Sequence, residues 1–213
     1  MKKPSVLMAD DHSLILAGLR KLVEADCDVV GTVEDGRALV EAAQTLRPDL
    51  ILLDISMPLL NGLEAARQLR TLVPDSKLIF LTMHASPTYA TEAFQAGASG
   101  YLLKHSAAEE LSQAIKSVLQ GRHYLTPLLT KEVMDSVLKP SIGERGTPTA
   151  LTARQREVLQ LVAEGHGSKE IATILSVSVK TVEFHRFRIM QQLDIHTTAD
   201  LTKYAITHGI TGL

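Results

Sequence analysis

The 213 residues suffice for one large domain or two modest ones, and a content of 45% apolar and 22% charged residues belongs to ordinary folded protein rather than to a disordered chain. No apolar run approaches the roughly 20 residues that cross a bilayer, and the Met1-Lys2-Lys3 start lacks the apolar core of a signal peptide, so a cytoplasmic location with no membrane partner is expected. Cys27 is the sole cysteine, which excludes an internal disulfide and a thiolate metal cluster, and the histidines show no metal-ligand spacing. Acids outnumber bases over residues 1–124 and bases narrowly outnumber acids over residues 148–213, an asymmetry too weak by itself to indicate nucleic acid.

From Ser5 to Leu119 short apolar runs alternate with amphipathic stretches five times. Residues 6–10 read as a strand ending at the acid pair Asp10-Asp11, and residues 13–25 carry Leu16, Leu19, Leu22 and Val23 at helical spacing. Residues 28–33 form the second strand, followed by a helix from about Asp35 to Leu46. Residues 50–54 are the third, an apolar run too short for a helix that ends at Asp54 before a loop containing Pro58 and Asn61-Gly62. A helix near 62–72, a strand over 77–82, a helix near 87–96 ended by Gly97, a strand over 100–104 and a helix over about 107–120 complete the series. Ser106 with Glu109 has the spacing of a capping box for that last helix.

Strands alternating with helices imply a parallel sheet with helices on both faces, and five such strands favour the flavodoxin-like order 2-1-3-4-5. Under that order Asp10, Asp11, Asp54, Thr82 and Lys104 gather at one carboxyl edge. Clustered carboxylates repel unless a cation joins them, and hard oxygen donors suit Mg²⁺. With the charge balanced, Asp54 becomes a candidate nucleophile toward a phosphoryl group, with Thr82 and Lys104 placed to stabilise its oxygens.

These residues, in this order and spacing over about 4–121, resemble the receiver domains of bacterial two-component response regulators. The resemblance implies that Asp54 is the phosphoacceptor, that Asp10, Asp11, Asp54 and the backbone carbonyl of Ser56 hold Mg²⁺, and that Thr82 and Tyr101 act as a switch pair. His105 departs from the family, where proline often follows the lysine. His12, His84 and His105 flank the site and are assigned no chemistry.

Beyond the receiver domain (1–124), residues 125–147 read as a linker with a short helix over 125–138, its Pro, Gly, Ser and Thr concentrated in 140–149. Residues 148–213 read as an all-α domain of four helices. Thr152 with Gln155 forms a capping box, Ser168 is expected to cap a second helix, Ser178 a third reaching about Gln192, and the last runs from Thr198 to about His208. The short turn Ser176-Val177 between the second and third makes a helix-turn-helix. At about 100° per residue, Val182, Ile189 and Leu193 share one stripe of the third helix, while Lys180, Phe184, Phe187 and Gln191 point away from it. Two phenylalanines on an outer face mark a contact surface. They are candidates for thymine methyls, with Lys180 and Arg188 for phosphates or guanine edges, against the alternative of a protein interface.

The segment 151–205 closely resembles the LuxR-type DNA-binding domain, through Leu151-Thr152, Arg156-Glu157-Val158-Leu159, Glu164-Gly165, Lys169-Glu170-Ile171-Ala172 and Ser178 through Thr181-Val182 to His185-Arg186. The resemblance implies double-stranded DNA as partner, with Lys169, Ser178, Lys180, Thr181 and His185 toward the backbone and Lys180, Glu183, Phe184 and Phe187 toward the bases. It also implies a dimer contact on the last helix, with Leu201, Tyr204 and Ala205 as candidates. Together the two halves resemble a NarL/FixJ-type response regulator, a transcription factor rather than an enzyme, phosphorylated by a sensor histidine kinase and dimerising in response. A hydrolase with Asp54 as nucleophile is disfavoured because Ser56 stands where a general acid would. A regulator controlled by partner binding alone remains the other alternative.

Overall fold

The computed structural model describes residues 3–138 and 151–211, so the expected Pro- and Gly-rich segment 140–149 lies outside the described residues. The chain divides into an α/β unit and a helical unit. In the first, strands β1 (Ser5–Ala9), β2 (Asp28–Val33), β3 (Leu50–Leu53), β4 (Lys77–Thr82), β5 (Gly100–Leu103) and β6 (Tyr124–Leu125) pair throughout in parallel, in the order β2-β1-β3-β4-β5-β6. Helices α1 (Ser13–Val23), α2 (Gly36–Leu46), α3 (Gly62–Leu72), α4 (Pro87–Ala96) and α5 (Ala107–Leu119) connect the strands, and α6 (Pro127–Leu138) follows the last. The expected flavodoxin-like order holds, but the sheet has six strands where five were expected.

Burial on both faces explains the continuous apolar strands. Val6, Met8, Leu50, Leu52, Ile79, Leu81 and Leu102 form one core with Leu16 and Leu19 of α1 and Leu111, Ile115 and Val118 of α5. The alternate residues Leu7, Ile51, Leu53 and Phe80 are also buried. Tertiary pairing supplies the sixth strand: the Tyr124 N–H donates to the Ser99 carbonyl and the Thr126 N–H to the Tyr101 carbonyl, both at 3.0 Å. The helix read as part of a linker starts only at Pro127, after this strand, and packs against α4.

Local signals set most helix ends. The Asp35 side chain accepts from the Arg37 and Ala38 N–H groups, the Asn61 side chain accepts from the Glu64 N–H, and Gly97 takes the left-handed conformation that ends α4. The Ser106–Glu109 capping box does not form, because Lys104–Ser106 makes a 3-10 turn that leads directly into α5 and puts Ser106 in helical conformation.

The helical unit comprises α7 (Ala153–Ala163), α8 (Ser168–Ile174), α9 (Val179–Leu193) and α10 (Thr198–Thr207). The Thr152–Gln155 capping box and the Ser178 cap are present. Ser168 is instead the first helical residue of α8: Gly167 is the cap, its N–H donating to the Glu170 carboxylate at 2.7 Å. The α8–α9 turn places Ser176 at a φ of 52°, the left-handed region that lets so short a connection close. Val158, Leu161, Val162, Ile171, Ala172, Leu175, Val182 and Ile189 form the core, each large side chain contributing about 1.5–3 kcal/mol relative to exposure.

Gly62 starts α3 under the loop that carries Asp54. A Cβ there would lie 2.0 Å from the Asp54 carbonyl oxygen, so the backbone approaches as only glycine allows. Gly62→Ala should therefore cost about 2 kcal/mol or more, read by urea unfolding; a change within about 0.5 kcal/mol would contradict this packing.

Candidate functional site: an acid pocket and a helical nucleic-acid interface

Three strand ends make the first site. Ala9 and Leu53 are paired neighbours, so the residues that follow them, Asp10 and Asp54, emerge side by side, and the Asp54 N–H donates to the Ala9 carbonyl at 3.0 Å. Lys104, after the end of β5, places its Nζ 2.7 Å from Oδ2 of each carboxylate. Asp10 and Asp54 are 2% and 4% exposed, so the shared ammonium is what makes two adjacent charges tolerable there. Asp54 Oδ1 accepts from the Ile55 N–H at 2.6 Å.

Burial raises the Asp54 carboxyl above its ordinary range, and the Lys104 hydrogen bond offsets that only in part. For Lys104 burial works downward, but its hydrogen bonds to Asp10 and Asp54 prevail and hold the ammonium above its ordinary value. The pocket therefore carries an excess of negative charge that a cation would relieve. Asp10, Asp11 and His12 each offer a ligand atom within 4.8 Å of the other two, and His12 Nδ1 lies 3.2 Å from Asp10 Oδ1 and 2.8 Å from Asp11 Oδ1. Asp10 is buried and Asp11 exposed at the mouth, which suits a hard, partly hydrated divalent ion. Among the described residues the group in reach of one ion combines Asp10 and Asp11 with His12, a nitrogen donor beside the expected oxygen ligands.

Thr82 closes β4 fully buried, its Oγ1 accepting from the His84 N–H at 3.2 Å. Tyr101 is also fully buried, its hydroxyl donating to the His84 carbonyl at 2.7 Å, and burial pushes its phenol well above the ordinary value. His84 Nε2 lies 2.9 Å from Ser56 Oγ, and its ring stacks on Tyr89 at 4.4 Å. His84 is thus a hub between the two candidate switch residues and the Asp54 loop. The only signal for His12 and His84 in the sequence was position, each two residues past a strand-end site residue.

The two sides of α9 differ as their helical phase predicts. Val182 and Ile189 are buried, while Phe184 and Phe187 are 57% and 58% exposed. Lys169, Lys180, Glu183 and Arg188 are exposed, and the Arg188 guanidinium lies 5.9 Å from the Phe184 ring centroid, a cation–π pair. Ser178 Oγ accepts from the Thr181 N–H at 3.1 Å and lies 2.9 Å from Thr181 Oγ1, so both hydroxyls are engaged in the cap. His185 is half-buried, and burial, with Arg154 nearby, holds its imidazole below the ordinary value. Arg186, which the sequence reading gave no role beyond matching the family, ties α9 to α8 and α10 by donating to Ser168 Oγ and Thr198 Oγ1 at 3.2 and 3.3 Å.

Residues 6–116 match the family described as response regulator receiver domain, and residues 149–205 match bacterial regulatory proteins of the luxR family. The chain belongs to the LuxR-type response regulators. It is 36% identical to the response regulator UvrY of Escherichia coli K12 across 97% of this chain and 95% of that protein. A LuxR-family response regulator from Aurantimonas sp. matches in structure with a TM-score of 0.62 at 31% identity, over 65% of this chain and all of the other. RcsB of Salmonella typhimurium matches with a TM-score of 0.59 at 26% identity, over 97% of this chain and all of its own. RcsB has also been solved as two dimers bound to two parallel DNAs. As in this family of two-component transcription regulators, the chain pairs a receiver unit with a helix-turn-helix unit. Among the described residues no helix is long and apolar enough to cross a membrane.

Two of the three residues expected at a dimer contact on α10 belong to the core of the helical unit. Leu201 and Ala205 are 1% and 0% exposed within the core of their own helical unit, because α10 packs its apolar stripe against α7. Tyr204 alone of the three reaches the surface, stacked on His208 at 3.8 Å.

Because Asp54 sits above its ordinary 3.8, the folded chain holds its proton more tightly than the unfolded chain, and the stability due to Asp54 falls as pH rises from 3.8 through the raised value. Asp54→Asn, which keeps an acceptor for Lys104, should gain on the parent chain across that interval in metal-free urea unfolding. A difference independent of pH would contradict the assignment.

Proposed function

We propose that the protein is a cytoplasmic, DNA-binding response regulator whose dimerisation and transcriptional output are controlled by phosphorylation of Asp54 by a sensor histidine kinase. The observation that carries this reading is the pair of 2.7 Å contacts joining Lys104 to Asp10 and Asp54 at the open sheet edge. One Asp54 oxygen attacks the phosphorus of a phosphohistidine; the new O–P bond forms as the P–N bond breaks, and the departing imidazole takes up a proton. Lys104 then exchanges its Asp54 contact for a phosphoryl oxygen, and the Thr82 hydroxyl donates to another. Mg²⁺ held by Asp10, Asp11 and Asp54, with the Ser56 backbone carbonyl, would supply further neutralisation of the phosphoryl charge. Thr82 moving toward the phosphoryl group releases the His84 backbone, which also anchors Tyr101, and that coupling makes the pair a switch.

The output is DNA binding by α9. Lys169, Lys180 and Arg188 meet phosphates, with Ser178, Thr181 and His185 beside them, while Glu183, Phe184 and Phe187 face base edges. Dimeric RcsB on DNA supports paired half-sites. The α/β unit, which takes in β6 and α6, receives the phosphoryl group and the helical unit binds DNA, and the role is regulatory rather than that of a turnover enzyme.

Incubation with acetyl phosphate and Mg²⁺ should add one phosphoryl group to Asp54, located by mass spectrometry, and Asp54→Asn should take none; absence of label on the folded parent chain overturns the proposal. Lys180→Ala should weaken DNA binding across sequences and reduce the slope of log affinity against log salt by about one. An unchanged slope contradicts the phosphate contact. Phe187→Ala should alter the ranking of DNA sites, and equal losses on all sites would remove it from the base-reading set.

A further inference from the structure

The short sixth strand leads to one buried hydroxyl beside the acid pocket. Leu103 immediately precedes Lys104 and is the last residue of β5. Its N–H donates to Thr126 Oγ1 at 3.3 Å. Thr126 is 1% exposed. Its hydroxyl passes its own proton toward Glu110 Oε2 at 2.9 Å, and the same oxygen accepts from the Tyr124 hydroxyl at 3.2 Å. The Thr126 N–H donates to the Tyr101 carbonyl, and its carbonyl accepts from the Leu129 N–H, each at 3.0 Å. One residue therefore grips β5 at Tyr101 and Leu103 and begins the first turn of α6. Leu129, 1% exposed, anchors that turn.

We infer that Thr126 is a positioning residue for Lys104 and the joint through which the acid pocket and α6 act on each other. Lys104 Nζ must reach two carboxylates at 2.7 Å, so the backbone from which it springs must be fixed. Beyond Leu125 no strand continues along β5, and Thr126 Oγ1 supplies the acceptor a strand would have given. The hold is local, a two-residue strand plus a triad of side chains, and such elements open at low free energy. Moving Lys104 from Asp54 to a phosphoryl oxygen therefore disturbs the Leu103–Thr126 bond and loosens α6. By linkage, loosening α6 misplaces Lys104. This coupling rests on the phosphoacceptor reading above, whereas the positional link from Thr126 to the Lys104 backbone does not.

The test uses the full chain as Thr126→Val, which removes the hydroxyl, Thr126→Ser, which restores it, and Glu110→Ala, which removes its acceptor on the half-buried face of α5. Two readouts are taken: the initial rate of Asp54 labelling by acetyl phosphate with Mg²⁺, and hydrogen exchange in peptides covering 101–106 and 127–134 before phosphodonor is added. Thr126→Val should label about fivefold more slowly, the equivalent of one hydrogen bond, and exchange faster in both peptides. Thr126→Ser should match the parent chain in both, and Glu110→Ala should shift both in the direction of Thr126→Val. Wild-type rate and protection in Thr126→Val, or failure of serine to restore them, overturns the inference. Should the parent chain take no label, the phosphoacceptor reading fails and the exchange data alone decide the positional link, which unchanged protection of 101–106 overturns.

Discussion

An ammonium group shared between two buried carboxylates holds the α/β unit's chemistry in place. Asp10 and Asp54 come together because β1 and β3 are hydrogen-bonded neighbours, and Lys104 reaches both from beyond the end of β5. Without it, two nearly inaccessible carboxylates would face each other at a cost of several kcal/mol. Even with it, Asp54 remains raised, so the pocket is charged but incompletely compensated. Such a site favours whatever brings positive charge and is prepared to rearrange once a phosphoryl group supplies new partners for the lysine.

Around that centre the fold arranges residues that respond to it. Thr82 and Tyr101 are both fully buried and both bonded to the backbone of His84, and the His84 ring reaches back to Ser56 two residues beyond Asp54. On the other side of Lys104, Thr126 ties β5 to α6. Each link is a short chain of hydrogen bonds, the kind of contiguous network along which coupling between two sites travels. The helical unit follows a different logic: its core is complete without Phe184 or Phe187, whose exposure is consistent with a surface built to be covered by a ligand.

Much of this was legible in the sequence because period and strand-end chemistry are local. The buried runs LILL and KLIFLT announced β3 and β4, the strand order followed from counting them, and Asp10, Asp54 and Lys104 meet in direct contact at the strand ends, with Thr82 closing the neighbouring β4. The α9 stripe was recovered from 100° spacing alone. What escaped depends on tertiary partners. Two residues, Tyr124 and Leu125, cannot show a strand period and pair only because β5 offers an open edge. The Ser106 box failed because the chain was already helical at Lys104. His12 and His84 are polar loop residues whose partners lie where only the folded chain can put them.

The most direct test of the shared-lysine account is a carbon-13 NMR titration of the Asp54 carboxyl in the full chain, without divalent ions and again with Mg²⁺. The metal-free midpoint should lie above the ordinary 3.8 and move down when Mg²⁺ is added. A midpoint at or below 3.8 without metal, or one indifferent to Mg²⁺, would contradict the account.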